Sequence, residues 1–427
     1  MLKRNDVISK LQNGEFDNSL KELYVTTDAS VQRDRYMSVI KGYQEIFGDT
    51  DELALFSAPG RTEIGGNHTD HQHGCIIAGS VNLDVIAAVS FNNENVIRIK
   101  SKGYPMDEVS LDDLEIHTNE FDKAISLIRG VLKKISDMGY TIKGFNAYTE
   151  SNVMKGSGLS SSAAFEVLIG TIVNHLCSDN EISPIEIAKI GQFAENVYYN
   201  KPSGLLDQMA SSVGAVVAVD FENNDAPIVK KVDFNLADYK HSLCIIDSGA
   251  DHADLTHEYA AVTEEMRLVS GFFGKKFLRE IDKAEFMKNL KDIRREVKND
   301  RAILRAIHYF NDTERAVAET EAVEKGDFAE FCKLNRESGR SSFMYLQNVY
   351  AASMPKAQAV SLTLALCDEI LGDRGSFRVH GGGFAGTVQA FVPNDIVDEF
   401  KSRIETVLGE GMCHILSIRP VGGYRLA

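Results

Sequence analysis

The chain has 427 residues, 44% hydrophobic and 25% charged, which is enough apolar surface for two or three packed domains of a soluble protein. Its formal net charge of −16 repels polyanions over the whole surface, which argues against nucleic acid or an anionic membrane as the main partner. The six cysteines, Cys75, Cys177, Cys244, Cys332, Cys367 and Cys413, form no C-x-x-C pair, so neither a disulfide framework nor a zinc site is suggested.

Residues 1–53 are polar with apolar positions at helical spacing, Ile8 and Leu11, then Tyr36, Ile40, Tyr43 and Ile46, and this predicts an N-terminal helical extension. The first residues lack the apolar core of a secretory signal. The longest nearly apolar run, 75–91, is broken by Asn82 and Asp84 and is too short to span a bilayer. A reduced, cytoplasmic protein is the expectation.

The stretch 58–74 contains Ala58-Pro59-Gly60-Arg61 and then His68-Thr69-Asp70-His71-Gln72-His73, and its glycines predict a loop over 60–74. Three imidazoles and a carboxylate in six residues have the composition of a metal site. A glycine-flanked loop, however, lacks the fixed secondary structure from which such ligands usually come. The runs 85–91 and 96–101, separated by Asn92-Asn93-Glu94-Asn95, predict a hairpin. Residues 124–135 have helical spacing ended by Gly139, and 145–149 is a strand candidate leading into Gly156-Ser157-Gly158-Leu159-Ser160-Ser161-Ser162. Two glycines let backbone N–H groups approach an anion, and the apolar run 163–177 predicts a helix whose N-terminus faces it. Taken alone, the stretch fits either a phosphate cradle or a turn that caps a buried helix.

Ser183-Pro184-Ile185-Glu186 is a capping box with proline at the first helical position, so a helix runs from there to about Tyr199 and carries Glu195. A loop with Pro202 and Gly204 leads to Asp207. Residues 214–221 and 227–234 read as paired strands. A boundary near 233–240 divides the chain into an extension (1–53), an N-terminal lobe (54–236) and a C-terminal lobe (237–427). Helices are predicted over 259–273, 286–297, 303–323, 328–347 and 357–371, and strands over 387–392 and 416–420. Gly381-Gly382-Gly383-Phe384-Ala385-Gly386 matches the dinucleotide pattern formally, but a strand-like alternation follows it where a helix is needed. These elements predict an α+β protein of two lobes.

In order and spacing, the stretches 58–74, 153–165 and 381–386 resemble the three motifs of the galactokinase branch of the GHMP kinases, the family of galactokinase, homoserine, mevalonate and phosphomevalonate kinases. The resemblance covers the chain from about Ala58 onward. It implies a two-lobed GHMP-kinase-like fold with the active site in the cleft between lobes, and ATP-dependent phosphorylation of a sugar at its anomeric hydroxyl, with galactose as the first choice. The serine loop, Gly156 to Ser162, would cradle ATP. Ser162 and Glu195 match the Mg²⁺ ligands, both oxygen donors as that ion prefers. Asp207 matches the base that accepts the hydroxyl proton, and Arg61 its electrostatic partner. Asn67, His68, Thr69, Asp70, Gly204 and Tyr259 correspond to the sugar site. The implied partners are a small sugar and ATP, with neither nucleic acid nor membrane expected; the oligomeric state is left open, a monomer being the expectation.

The chain departs from the pattern at several places. Asn67 stands for the usual glutamate and His71 for the usual tyrosine, so discrimination at C6 is expected to relax, and a cationic His71 would favour an acidic sugar such as galacturonate. Met154-Lys155, Val379-His380 and Ser338-Gly339-Arg340-Ser341 also differ from the pattern, without removing a phosphate, metal or base residue. A catalytically silent sugar sensor is the rival from another class.

Overall fold

The computed structural model describes residues 1–154, 158–250 and 255–427. Three helices open the chain, α1 (Arg4–Gln12), α2 (Asp17–Tyr24) and α3 (Ser30–Phe47), after a short strand β1 (Leu2–Lys3). Their apolar faces bury Val7, Leu11, Leu20, Leu23, Tyr36, Val39, Ile40 and Tyr43, the pattern that their helical spacing requires. Next come β2 (Glu52–Gly65), β3 (Cys75–Phe91), β4 (Val96–Ser101), β5 (Met106–Ser110), α4 (Ala124–Asp137) and β6 (Phe145–Ser151). They are followed by α5 (Ser161–Cys177), α6 (Pro184–Phe193), α7 (Leu206–Val213), β7 (Val216–Asp220) and β8 (Ile228–Val232).

Among the described residues, nine strands form one sheet in the order β1-β2-β3-β6-β4-β5, with β7 on β3 and β8 on β7. The ninth, β13 (Tyr424–Arg425), returns from the C-terminus to pair with β2, Tyr424 opposite Ser57. The predicted pairing of 214–221 with 227–234 is present as β7 and β8. The predicted hairpin of 85–91 with 96–101 is not: β6 lies between the two, antiparallel to β3 and parallel to β4. The asparagine-rich turn crosses over this inserted strand, which is an outcome of the long-range pairing that local turn chemistry does not encode.

The predicted loop 60–74 is also corrected. β2 continues through Pro59 and Gly60 to Gly65, and its pairing with β3 shifts register between Pro59 and Arg61 and between Glu63 and Gly65. Such irregularities let a strand tolerate proline and re-aim the side chains beside them. Only residues 66–74 form the loop.

The second half holds β9 (His241–Asp247), α8 (Thr256–Phe272), α9 (Lys283–Lys288), α10 (Leu290–Val297), α11 (Asp300–Glu324), α12 (Phe328–Ser341) and α13 (Ala359–Leu371). β10 (Ser376–Val379), β11 (Thr387–Pro393), α14 (Val397–Leu408) and β12 (Cys413–Leu416) complete it, and four strands pair in the order β10-β11-β9-β12. The predicted strand 387–392 is present. The strand expected at 416–420 lies at 413–416, and β9, β10 and α14 had no counterpart in the sequence reading. β9 is central and its residues 243–246 are buried, so it carries a short continuous apolar run without the alternation of a half-exposed strand. Two predicted helices each end in a π-helical turn, Ala194–Tyr198 after α6 and Ser342–Leu346 after α12. No described helix is long and apolar enough to cross a membrane.

Candidate active site

The bulged end of β2, the N-termini of α5 and α7, the loop 66–74 and the glycine run before β11 converge on one site. Arg61, on β2, donates from Nε to Asp207 Oδ1 at 2.7 Å, and its Nη2 lies 2.6 Å from the same oxygen. Ser160 donates its hydroxyl to Asp207 Oδ2. Burial pushes the Asp207 carboxyl up, but Arg61, Ser160 and Lys201 outweigh it and hold the group below its ordinary value. Asp207 is therefore an anion at neutral pH, with acceptor capacity left beyond these two bonds.

Arg61 also locks the serine loop. Its Nη1 donates to Gly158 O, and its backbone N–H donates to Leu159 O at 3.0 Å. Gly158 has a left-handed φ of +67°, and a Cβ there would lie 2.9 Å from His380 Nδ1 and Thr387 Oγ1, so only glycine lets this loop meet the strand β11. Ser160 precedes α5 with φ +55° and makes no capping hydrogen bond, because its hydroxyl is committed to Asp207. The first-turn N–H groups of a 17-residue helix beginning at Ser161 therefore lack a side-chain cap at the cleft, as an anion site requires. Gly156 and Ser157, expected in the phosphate cradle, lie outside the described residues.

Glu195 sits in the π-helical turn after α6, a local widening that re-aims side chains. Ser162 donates to its Oε1 at 3.1 Å and Lys201 to the same oxygen at 2.7 Å, while Ser203 and Gln208 Nε2 reach Oε2 at 2.7 and 2.8 Å. A hydroxyl and a carboxylate thus share one spot already occupied by an ammonium, and this oxygen-donor set fits a divalent cation. Behind it, Gln208 Nε2 also donates to Glu166 Oε2 at 2.9 Å. Burial and the neighbouring Glu195 push Glu166 well above the carboxylate range. Lys201 and Glu166 escaped the sequence reading. A trace of Glu166 was present, as the one acid in the apolar run 163–177, a helical turn after Ser162.

The loop 66–74 is held in shape from inside. Thr69 is fully buried and its hydroxyl bonds to Gly66 O and Cys75 O, both at 2.8 Å, so it closes the loop on itself. Asp70 lies against Gly204, where a Cβ would come within 1.6 Å of its Oδ2. Burial and the charge of Asp207 raise the Asp70 carboxyl to about 6. His68 Nε2 faces Gly382 O at 3.0 Å and its Nδ1 faces His71 Nε2 at 3.3 Å. Burial lowers His68 to about 4 and takes His71 well below its ordinary value, helped by His68 itself. The surrounding protein groups by themselves hold the His71 ring neutral, so a cationic ring would need the acidic sugar itself beside it. Among the described residues no cluster of His, Cys, Asp and Glu has the arrangement of a metal site. Tyr259 donates to Gly383 O at 2.9 Å, which leaves its oxygen free only to accept.

Asn67 does not face the cleft as expected. It is fully buried, its Nδ2 donates to Glu63 Oε1 and Gly381 O at 2.8 Å each, and its Oδ1 accepts from Ser342 at 3.1 Å and Asn348 at 2.9 Å. An amide with four bonds has none left for a sugar, so the reading of C6 by this side chain is withdrawn.

The galactokinase galactose-binding signature matches residues 41–91, and the N-terminal domain of the GHMP kinases matches residues 126–215. A galactokinase of Actinobacillus pleuropneumoniae serotype 3 (strain JL03) is 29% identical over 368 residues, covering 84% of this chain and 90% of the relative. One from Glaesserella parasuis serovar 5 is 28% identical, covering 85% and 91%. Lactococcus lactis galactokinase complexed with galactose superimposes with a TM-score of 0.77 at 24% identity, over 91% of this chain and 99% of that one. The Methanococcus jannaschii mevalonate kinase gives 0.58 at 14% identity, over 86% and 98%.

Proposed function

Because the chain belongs to the galactokinase branch of the GHMP kinases, we propose that it transfers the γ-phosphoryl group of ATP to the anomeric hydroxyl of galactose. The observation that carries the mechanism is the Arg61–Asp207 pair at 2.6 Å, set between the N-terminus of α5 and the loop 66–74. In the reaction the anomeric oxygen forms a bond to the γ-phosphorus as the bond from that phosphorus to the bridging oxygen of ADP breaks. The hydroxyl proton passes to Asp207. A carboxylate held below its ordinary value is a weak base, which suffices because the hydroxyl becomes acidic only as it bonds to phosphorus. Arg61 keeps Asp207 ionised and its planar guanidinium suits the charge on the transferring oxygens.

Ser162 and Glu195 would hold Mg²⁺, which when bound shields the phosphate charge. The N-terminus of α5 would receive the phosphates, with Ser161 and Ser162 in its first turn. His68 and Asp70 face the sugar side with a neutral imidazole and a carboxylate, and Tyr259 offers an acceptor. Among the described residues, three cations at the site are already committed, Arg61 to Asp207, Lys201 to Glu195 and Arg378 to Glu63. A C6 hydroxyl is therefore favoured over a C6 carboxylate, and the intact base and metal pair favour an enzyme over a silent sensor.

Asp207→Asn tests this reading, since it keeps the shape and removes the proton acceptor. In an ADP-release assay over galactose and galacturonate, the wild type turns over galactose, and the variant loses about a hundredfold or more in kcat while still binding ATP. Near-normal turnover by the variant would leave the transfer to electrostatics alone. Preference for galacturonate would replace the substrate.

A further inference from the structure

The four bonds of the Asn67 side-chain amide are not its only ones. Its backbone is held too, and both of those bonds come from α11, 241 and 245 residues away in sequence. His308 Nε2 lies 2.8 Å from Asn67 O, and Asp312 Oδ2 accepts the Asn67 N–H at 2.8 Å. Four residues apart on a helix, these two side chains stand one above the other on the same face. They therefore grip one peptide unit on each side of a single Cα.

Each half of the grip is itself fixed. A carbonyl oxygen only accepts, so His308 carries its proton on Nε2, and burial keeps the ring neutral against the pull of Asp312. Its Nδ1 then accepts from the Ser341 hydroxyl at 2.9 Å, which fixes the tautomer and the ring plane. Asp312 is fully buried and accepts also from Arg315 and from Ser338 at 3.2 Å. The residue after the gripped one is His68, whose φ of +57° is a conformation that a non-glycine residue holds only when its surroundings impose it. His68 and Asp70 follow directly on the sugar side.

We propose that His308 and Asp312 are positioning residues that clamp the Asn67 backbone and so set the sugar-facing loop 66–74 for catalysis, without touching substrate. The clamp makes α11 the rigid support of the sugar loop, while the ATP end of the cleft rests on α5 and α7. Loosening it misplaces groups on the sugar side alone, and misplacement of about 1 Å is costly.

The inference rests on the galactose reading, and its test separates the two. The full-length protein is assayed with D-galactose and Mg²⁺-ATP as wild type, His308→Ala and His308→Gln, the last restoring an N–H donor near the position of Nε2. Amide hydrogen exchange is followed over residues 66–74. Expected are a rise of roughly tenfold in the galactose KM of His308→Ala with the ATP KM within about twofold, faster exchange in 66–74 but not in 52–60, and recovery of both in His308→Gln. Equal movement of both KM values, unchanged exchange, or no rescue would overturn the clamp. Should His308→Ala fail to fold, Ser341→Ala removes only the hydroxyl that fixes the ring, and it should shift the same quantities in the same direction by less. If the wild type ignores galactose, the functional reading falls and the exchange measurement still decides the clamp.

Discussion

Gly204→Ala is the smallest change that the site should not tolerate. The added Cβ would lie 1.6 Å from Asp70 Oδ2 and 2.4 Å from its Cγ, whereas ordinary contact begins at 3.4 Å. One of the two must retreat by about 2 Å. The backbone at Gly204 is not left-handed, so alanine adds no strain of its own and lowers the freedom of the unfolded chain, which is neutral to stabilising by up to about 1 kcal/mol. The cost falls on the site. A misplacement of 1 Å or more between substrate and its positioning groups costs about a hundredfold in rate, or ~2.7 kcal/mol. Steady-state kinetics on galactose, beside thermal melting, should show kcat/KM down by about that factor with Tm unchanged or higher. An unaltered kcat/KM would mean that Asp70 does not touch the sugar. A lowered Tm with proportional loss of activity would mean that the contact is structural.

Glu195→Gln should raise the Mg²⁺ needed for half-maximal rate by about tenfold or more and leave the galactose KM alone, as a neutral amide binds the ion less well. An unchanged Mg²⁺ titration would place the ligand elsewhere. Asp70, raised to about 6 from 3.8, loses its acceptor charge as pH falls through 6. The galactose kcat/KM should therefore drop below that pH while the ATP KM stays flat, and Asp70→Asn should abolish the inflection. For stability the sign is opposite: the unfolded carboxyl ionises first, so its effect weakens the fold as pH rises from about 3.8 to about 6 and is complete above.

Asp84→Ala probes the N-terminal helices. This fully buried carboxylate bonds Arg35 at 2.8 Å, Arg419 at 3.2 Å, Tyr24 and Ser57. It thus ties α2 and α3 to β3, β2 and the C-terminal segment. Its loss leaves two cations without their shared anion and should cost about 3–5 kcal/mol in urea unfolding, with kcat of the folded enzyme intact. Burial raises its pKa, but the two arginines and the hydroxyls more than offset this. The wild-type contribution is then present above pH about 4 and lost as pH falls through the folded value.

Local pattern was enough for the helices with a clear apolar stripe. α4, α6 and α11 are where their spacing and caps place them, and Ser183 accepts from the Glu186 N–H as its capping box requires. It was not enough where pairing is long-range. Pro59-Gly60 read as the start of a loop because both residues disfavour strands locally, yet pairing with β3 resumes on both sides of Gly60 and carries the strand through. The hairpin after β3 failed for the same reason, since β6 takes the place that the turn seemed to reserve for β4.

The site divides along the same line. The chemical groups were legible from their order along the chain: an arginine after Pro-Gly, a run of serines before an apolar helix, and Glu195 and Asp207 twelve residues apart. Their types limit the chemistry before any fold exists, because phosphate needs N–H groups and cations, a divalent ion needs oxygen donors, and proton removal needs a carboxylate. Their working states depended on assembly. Glu166 was pushed well above its ordinary value only when buried behind Glu195, His71 well below its own only when packed beside His68, and the amide of Asn67 was used up only when four separate elements closed around it. Burial and pairing set the charge and reach of each group. Those are properties of neighbours brought from hundreds of residues away, as His308 is to Asn67, and no local stretch of sequence contains them.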